Sequence, residues 1–317
     1  TKTLPDSPAL CRSVGDVTEP MASASPALQG GDSEPEPQTM QITYKLRLRD
    51  THAAELCRQA RAVNFVWNYV NQAQRRAWRE SRRFLSRFGL MQLTAGTSGE
   101  LGLHAHTIQR VCRAYTEARR THRKAYLRWR GRRSLGWVPF NTGHITFDGE
   151  AFTFRGVRYL TMHLREITAG AVLGAGSFNA DARGCWYLNV PVEVPEATSA
   201  SINPVGIDLG LKDLAALSTG EKIEAPCFYR ASEVALGTAQ RARKTKRARA
   251  IHAKVANRRK DFLHKESLKI VKAHGVVVVG NVSASQIART TMAKSVLDAG
   301  WSAFRDMLRY KSRLRGG

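Results

Sequence analysis

The sequence of 317 residues has no paired cysteines, no long apolar run and few acidic residues. Its five cysteines are far apart, and none lies in a Cys-x-x-Cys pair. This spacing argues against a disulfide framework and against a zinc site built from cysteine pairs. No run reaches the roughly 18 apolar residues that a membrane span needs, and no signal-peptide pattern opens the chain. We therefore expect a cytoplasmic, nucleoid-associated protein with no membrane partner.

Acidic residues are scarce relative to basic ones. The chain holds 50 Lys and Arg against 26 Asp and Glu, a formal charge of +24. Because residues 1–39 carry two basic and six acidic residues, the rest of the chain carries +28. A surface of this charge attracts polyanions, and nucleic acid is the expected partner. The alternative is a solvated basic surface that has no partner.

Composition divides the chain into three parts. Six of the eleven prolines lie in residues 1–39, and this acidic, proline-rich segment is typical of a disordered leader. The strand-like run MQITYKLRL starts at Met40, where we expect the folded protein to begin. A linker, EATSASINP, then separates a first domain (residues 40–197) from a second (residues 203–317).

The first domain changes its apolar period along the chain. Residues 51 to about 132 show apolar residues at helical spacing, with a break at LTAGTSGELG and a second helix from about His106 to Arg130. Residues 138–194 alternate instead, around a hairpin turn at Asp148-Gly149. With the strand near Met40, they predict a small β-barrel interrupted by a helical insertion.

Several side chains of this first domain have two possible roles. The arginines of the predicted helices lie either in solvent or against phosphate. The strand residues Trp186 and Tyr187 either stack on bases or pack the core. The cations that we assign to nucleic-acid binding here are Arg119, Arg120, Arg123 and Lys124.

The second domain alternates between strands and helices, which predicts an α/β fold in the order strand, hairpin, helix, strand, helix. Four valines at 276–279 without alternation favour a central parallel strand covered on both faces. In the first strand, VGIDLG places Asp208 between Gly206 and Gly210. A carboxylate there either caps a turn or holds a divalent cation, because an unpaired buried charge is costly.

Three segments of the second domain resemble, in the same order, the TnpB family, the OrfB proteins of compact bacterial insertion sequences, which are related to type V CRISPR effectors. VGIDLGLKDLAALSTG resembles the family's first RuvC-type motif, and NRRKDFLHKESLKIVKAHG resembles its bridging helix. VVVVGNVSASQIARTTMAKSVLDAGWSAFRDMLRYKS is similar to the second RuvC segment and the helix that follows. The likeness is close from about Ile202 to Ser312 and looser from Met40 to Pro195.

The resemblance implies a fold and a function. The fold would be an oligonucleotide-binding-like β-barrel with an inserted helical recognition lobe, followed by an incomplete RNase-H-like (RuvC) α/β domain. The function would be that of a transposon-encoded, RNA-guided DNA endonuclease. Its partners would be a guide RNA from the element's end and a double-stranded DNA target.

A basic segment of the second domain fits this function, because contacts between cations and phosphates supply most of the affinity for nucleic acid. We expect its cations to line one helix and bind nucleic acid. They are Arg241, Arg243, Lys244, Lys246, Arg247, Arg249, Lys254, Arg258, Arg259 and Lys260.

The resemblance fails at the catalytic carboxylates. The family's nuclease uses three, and Asp208 matches the first, as a ligand of Mg²⁺ if the protein is active. The second would follow the valine strand, where this sequence has Gly280 and Asn281. The third, and the cysteine-pair zinc finger before it, would lie beyond Gly317, which implies truncation and no zinc site. Glu266 in HKES is either a relocated second acid or an ordinary helix-surface residue.

Three hypotheses therefore remain open from the sequence. The chain is an incomplete TnpB-like nuclease that binds its target but is deficient in cleavage. Alternatively it is a nuclease-dead, RNA-guided repressor that occupies a DNA site. The third hypothesis is a non-functional remnant of a transposase-associated protein.

Overall fold

The computed structural model describes residues 39–163, 167, 171–196, 203–280, 282, 295 and 298–317. The predicted leader, most of the linker, Asn281 and the first half of the predicted last helix lie outside these residues. The strands are β1 (Thr39–Arg47), β2 (Trp137–Pro139), β3 (Ile145–Phe147), β4 (Ala151–Phe154), β5 (Val157–Leu160), β6 (Ser177–Ala180), β7 (Trp186–Pro195), β8 (Pro204–Leu209), β9 (Asp213–Leu217), β10 (Lys222–Glu224) and β11 (Val276–Val279). The helices are α1 (Ala53–Ser81), α2 (Arg87–Leu93), α3 (Ser98–Leu101), α4 (Ala105–Thr121), α5 (Phe228–Arg241), α6 (Thr245–Ala273) and α7 (Trp301–Arg313).

The first sheet is antiparallel and has the order β1-β7-β6-β2. Strand β1 pairs with β7 from Thr39 opposite Pro195 to Arg47 opposite Tyr187, so the chain returns to its first strand after the helical insertion. A second antiparallel sheet, β3-β4-β5, turns at Asp148, whose Oδ1 accepts from the backbone N–H of Ala151 at 2.7 Å. The predicted hairpin is therefore confirmed.

The predicted closed barrel is not found in the described residues. The strands of this half form two separate sheets, which an isolated bridge between Leu48 and Thr161 connects. Both sheets contribute to one apolar core, in which Phe154, Tyr159 and Phe178 are fully buried. Shared core packing, and not closure of a hydrogen-bonded ladder, joins the two sheets.

The helical insertion has its own core, built on the predicted apolar stripe of α1. Val63 and Val70 are fully buried against Tyr115 of α4. Helix α4 ends at Thr121, nine residues before the predicted end. The chain after it binds back along α1, because Asn71 Nδ2 donates to the carbonyl of Leu127 at 3.0 Å and Asn68 Nδ2 donates to that of Arg130 at 2.7 Å.

The second half contains a four-stranded sheet with the order β10-β9-β8-β11, in which β8 and β11 are parallel. Helices α6 and α7 pack on one face of this sheet through residues such as Leu263 and Phe304. The prediction that the valine strand is central and covered on both faces is wrong for the described residues. Strand β11 lies at the sheet edge, and Val276 and Val278 are 47% and 63% exposed on the other face.

No helix among the described residues has both the length and the apolar content to cross a membrane.

Candidate nucleic-acid interface and carboxylate site

Asp208 lies near the end of β8, on the face of the sheet that α6 and α7 leave open. Successive strand residues point to opposite faces, and Ile207 and Leu209 are buried while Asp208 is exposed. Among the described residues, the Asp208 carboxylate forms no hydrogen bond and no ion pair. It is therefore an available oxygen ligand and does not cap a turn.

The backbone after Asp208 is fixed by close contacts. A Cβ on Gly210 would meet the carbonyl oxygen of Asp213 at 2.8 Å, so the tight β8–β9 connection requires glycine at this position. The indole Nε1 of Trp301 donates to the carbonyl of Gly210 at 3.1 Å. Helix α7 thus holds the strand end that carries Asp208.

The end of β11 places Gly280 directly beside Asp208. The backbone N–H of Gly280 donates to the carbonyl of Ile207 at 2.8 Å. A Cβ at position 280 would lie 3.6 Å from Asp208 Oδ1. Of the two positions at which the resemblance expects a second acid, Gly280 lies next to Asp208 and has no side chain, while Asn281 lies outside the described residues.

Glu266 is not brought together with Asp208. It lies half-buried on α6, and α6 packs through Leu263 and Ile270 on the face of the sheet that carries Ile207. Asp208 points from the opposite face, so the sheet lies between the two carboxylates.

The predicted basic segment does not lie along one helix. Arg241 ends α5, Arg243 occupies the turn with a φ of 52°, and α6 begins at Thr245. The cations from 241 to 247 are all exposed. Within the described part of the chain, no carboxylate oxygen lies within 4.0 Å of four of them, which we call the α5–α6 turn cations: Arg243, Lys244, Lys246 and Arg247.

Arg259 and Arg249 of this predicted set donate hydrogen bonds to groups distant in the chain. Arg259 Nη2 donates to Oδ1 of the buried Asp298 at 2.7 Å. Arg249 Nη1 donates to the carbonyl of Ala182, in the β6–β7 turn, at 3.1 Å. Arg259 therefore stabilises the packing of α6 on the chain before α7, while Lys254, Arg258 and Lys260 are exposed on α6.

The cations predicted at the end of α4 also divide into two kinds. The Arg119 guanidinium lies 3.8 Å from the centroid of the Phe84 ring and is half-buried. Arg120, Arg123 and Lys124 are exposed. The exposed three are available to phosphate, whereas Arg119 packs on an aromatic ring of the insertion.

The two aromatic residues for which stacking on bases was an alternative have different positions. Trp186 is 1% exposed and packs in the core, which excludes it from base stacking. Tyr187 is half-buried, with Lys45 Nζ 4.5 Å from its ring centroid.

A group of histidines was not identified from the sequence. His104, His106 and His144 each offer a ring nitrogen, and these nitrogens lie within 4.8 Å of one another. Burial, followed by the charges that His144 and His106 would carry, lowers the pKa of His104. The His-x-His pair at the start of α4 was the available signal, but His144 lies 38 positions beyond it, so its approach depends on the fold.

Comparison with known proteins finds one family model and two curated proteins that are similar to parts of this chain. A family model, OrfB_IS605, described as "Probable transposase", matches residues 187–291. Two curated proteins share the name "Putative RNA-guided DNA endonuclease". One, from Streptomyces pristinaespiralis, is 27% identical over 307 residues, 84% of this chain and 73% of its own length. The other, InsQ of Escherichia coli K12, is 29% identical over 164 residues, 42% of this chain and 41% of its own length.

A chain from a cryo-EM Cas12f1–sgRNA–target DNA complex matches 87% of this chain and 83% of its own length, at 13% identity and a TM-score of 0.31. That score is too low to indicate a shared fold. The family model covers the strand of Asp208, the α5–α6 turn cations and β11. This chain is thus similar over residues 187–291 to the OrfB_IS605 family, and over a longer span to a protein named as a putative RNA-guided DNA endonuclease.

Proposed function

We propose that this chain is a TnpB-type protein that binds a guide RNA and, through it, a double-stranded DNA target. The observation that supports this most directly is the group of α5–α6 turn cations, which are exposed and have no carboxylate partner in the described structure. Unpaired cations at adjacent positions repel one another, and a polyphosphate backbone would relieve that repulsion.

A second basic surface lies between the helical insertion and the α6 helix. A groove of about 1080 Å³ is lined by α1, by the 130–136 segment, by the β6–β7 turn and by Arg249. Its basic lining includes Arg61, Arg132 and Arg133, beside the exposed ring of Phe65. Cations interleaved with an exposed aromatic ring suit a single-stranded polynucleotide, so we assign this groove to RNA.

Asp208 fits one ligand position for Mg²⁺, because it is an exposed carboxylate with no competing partner. A two-metal nuclease needs further oxygen ligands. In the described residues, no group of three potential ligands includes Asp208, and Gly280 offers no oxygen from a side chain. We therefore propose that the described residues bind the target and do not by themselves cut it.

Two alternatives to simple target binding have specific support. Cutting would require carboxylates from residues outside the described ones to join Asp208. A repressor role, in which the bound protein blocks a DNA site, agrees with the glycine beside Asp208.

The first experiment measures RNA binding as a function of salt. Purified chain and its co-purifying RNA are assayed by filter binding between about 50 and 200 mM salt, and the RNA is sequenced. Changing four cations to Gln should lower the magnitude of the salt slope by about 3, at roughly 0.7 for each phosphate of single-stranded RNA that the variant no longer neutralises. The four are the α5–α6 turn cations.

A matched control variant also loses four positive charges, but from cations that already pair with carboxylates. Its salt slope should change much less. Equal slopes in the two variants would show that net charge, and not this interface, sets affinity. The control positions are Arg76, Arg113, Lys265 and Lys269.

The second experiment asks whether the target is cut. A plasmid that matches the co-purified RNA is incubated with the complex and Mg²⁺. Binding without cleavage supports the proposal. If the plasmid is cut and Asp208→Ala abolishes cutting, the nuclease alternative is supported. If the complex binds matching and non-matching plasmids equally well, the proposal that RNA guides binding is wrong.

A further inference from the structure

Three histidines meet where the helical insertion joins the β-sheet region. His104 is the N-cap of α4, His106 lies in its first turn, and His144 directly precedes β3. The ring centroids are 4.2 Å apart for His106 and His144, 4.7 Å for His104 and His144, and 5.2 Å for His104 and His106. All three side chains are half-buried, so each has packing neighbours and access to solvent.

The distances are close to those of a metal site. The three ring nitrogens lie within 4.8 Å of one another. Ligands about 2.0–2.1 Å from a tetrahedral zinc ion lie roughly 3.3 Å apart. Closing the gap requires the rings to approach by about 1.5 Å at most, which rotation of half-exposed side chains can supply.

A neighbouring side chain orients one of the rings. His106 Nδ1 lies 3.1 Å from Gln109 Oε1, an oxygen that can only accept; in the tautomer that donates to it, Nε2 keeps its lone pair. Metal-bound histidines usually donate their second N–H to such an acceptor. Asn141 Nδ2, which can only donate, lies 3.4 Å from the same nitrogen and favours the other tautomer, but it is the longer contact.

His104 has a competing role. Its Nδ1 accepts from the backbone N–H of His106 at 3.2 Å. A neutral imidazole has one lone pair, so binding of a metal by His104 replaces this helix cap. The positive charge of Arg155, whose guanidinium donates to the carbonyl of Gly102, also acts on His104. Both features oppose the binding of a cation.

We propose that His104, His106 and His144 form a binding site for a borderline transition-metal ion, with Zn²⁺ as the type, whose fourth position is open to water. Imidazole ligands favour Zn²⁺, Co²⁺, Ni²⁺ and Cu²⁺ over Mg²⁺. The site is therefore chemically distinct from Asp208, an oxygen ligand. Among the described residues, no cysteine or carboxylate joins the three histidines.

The position of the site gives the ion a structural role. His104 and His106 belong to the helical insertion, whereas His144 belongs to the connection between β2 and β3. An ion bound by all three would hold the start of α4 against the second sheet. It would thus fix the orientation of the insertion relative to the strands.

Co²⁺ is the probe, because its visible absorption reports the ligands and geometry directly. The full chain is stripped with a chelator, titrated with Co²⁺ and then back-titrated with Zn²⁺, and its melting temperature is measured with and without Zn²⁺. We expect visible bands typical of four-coordinate cobalt, their loss on addition of Zn²⁺, and a higher melting temperature with Zn²⁺.

Two variants and one control test the assignment. His144→Asn and His106→Asn should each weaken Co²⁺ binding at least about 10-fold, the minimum expected from the loss of a ligand. His122→Asn alters an exposed histidine beyond the other end of α4 and should leave binding unchanged. Each variant is shown to be folded if its melting temperature without metal is close to that of the parent.

The cobalt spectra distinguish a metal site at the three histidines from its absence. Cobalt bands that both histidine variants lose and the control keeps support the site. Absence of these bands from the parent, or bands of equal strength in the parent and in folded His144→Asn, would overturn it.

Discussion

Replacing Arg259 by Gln tests whether this predicted nucleic-acid residue instead stabilises the fold. Its guanidinium Nη2 lies 2.7 Å from Asp298 Oδ1, and the Asp298 side chain is 5% exposed. The other oxygen of Asp298 accepts from the backbone N–H of Tyr229 at 2.9 Å. The substitution therefore leaves a buried carboxylate with one remaining donor.

The size of the effect follows from these contacts. Removing one partner of a buried ion pair costs about 3–5 kcal/mol in free energy of unfolding. Arg259 is itself 25% exposed at the side chain and Asp298 keeps one donor, so we expect a lower cost. A loss of about 2–3 kcal/mol corresponds to a fall in melting temperature of about 3–5 °C for a chain of this size.

The assay combines thermal melting with RNA binding, both at fixed salt. Lys254→Gln is the control, because Lys254 is exposed on the same helix and has no partner among the described residues. Its stability should change by less than about 0.5 kcal/mol while the magnitude of its salt slope for RNA falls by about 0.7. Arg259→Gln should instead lose about 2–3 kcal/mol of stability and leave the salt slope for RNA nearly unchanged. If Arg259→Gln melts with the parent and loses RNA affinity, our assignment of Arg259 is wrong.

A double-mutant cycle isolates the pair itself. Asp298→Asn added to Arg259→Gln removes the unpaired charge, so the double variant should recover part of the lost stability. We expect a coupling energy of about 1–3 kcal/mol, and additive losses would show that the two residues do not interact.

Burial lowers the pKa of His52, whose Nε2 accepts a hydrogen bond from the backbone N–H of Leu160 at 3.0 Å. Because the folded-state pKa is the lower one, the contribution of neutral His52 to stability is present above about pH 6.5. This contribution is lost as the pH falls through the folded-state pKa. His52→Gln should therefore flatten the melting temperature between about pH 7.5 and pH 5, and an unchanged slope would count against this. Gly210→Ala would press a Cβ onto the carbonyl of Asp213 and should cost about 1–3 kcal/mol in chemical denaturation, whereas a stability equal to the parent would refute the close contact. Asp208→Ala should leave melting within about 0.5 kcal/mol and RNA binding unchanged, and a large destabilisation would show that the carboxylate has a structural partner.

Local patterns were sufficient to predict most of the elements. The apolar stripe of α1 and the Asp148-Gly149 hairpin are each encoded over a few residues, and the structure confirms them. After residue 203 the predicted strands and hairpin are found, but the single helix predicted between them is divided into α5 and α6. The end of α4 was misplaced because the basic run after Thr121 continues a helical pattern. Tertiary hydrogen bonds from α1 to that run outweigh its helical propensity.

The site was harder to predict because it depends on neighbours distant in sequence. The isolated carboxylate in an apolar strand made Asp208 a candidate, but only the parallel pairing of β8 with β11 shows that Gly280 lies beside it. Arg259 and Arg258 are equivalent in sequence, and the structure distinguishes them because one turns towards Asp298. The four valines predicted a strand covered on both faces. The position of β11 at the sheet edge depends instead on which strands pair beside it, and the valines themselves do not encode that pairing.

The pairing of β1 with β7 has a consequence for how the protein is made. Gln41 and Glu193 are neighbours across these strands although 152 positions separate them in the chain. On the ribosome, β1 therefore emerges long before its partner exists, while α1–α4 can already pack their own core. The helical insertion is expected to fold first during synthesis, and completion of the first sheet must wait until translation has passed residue 195.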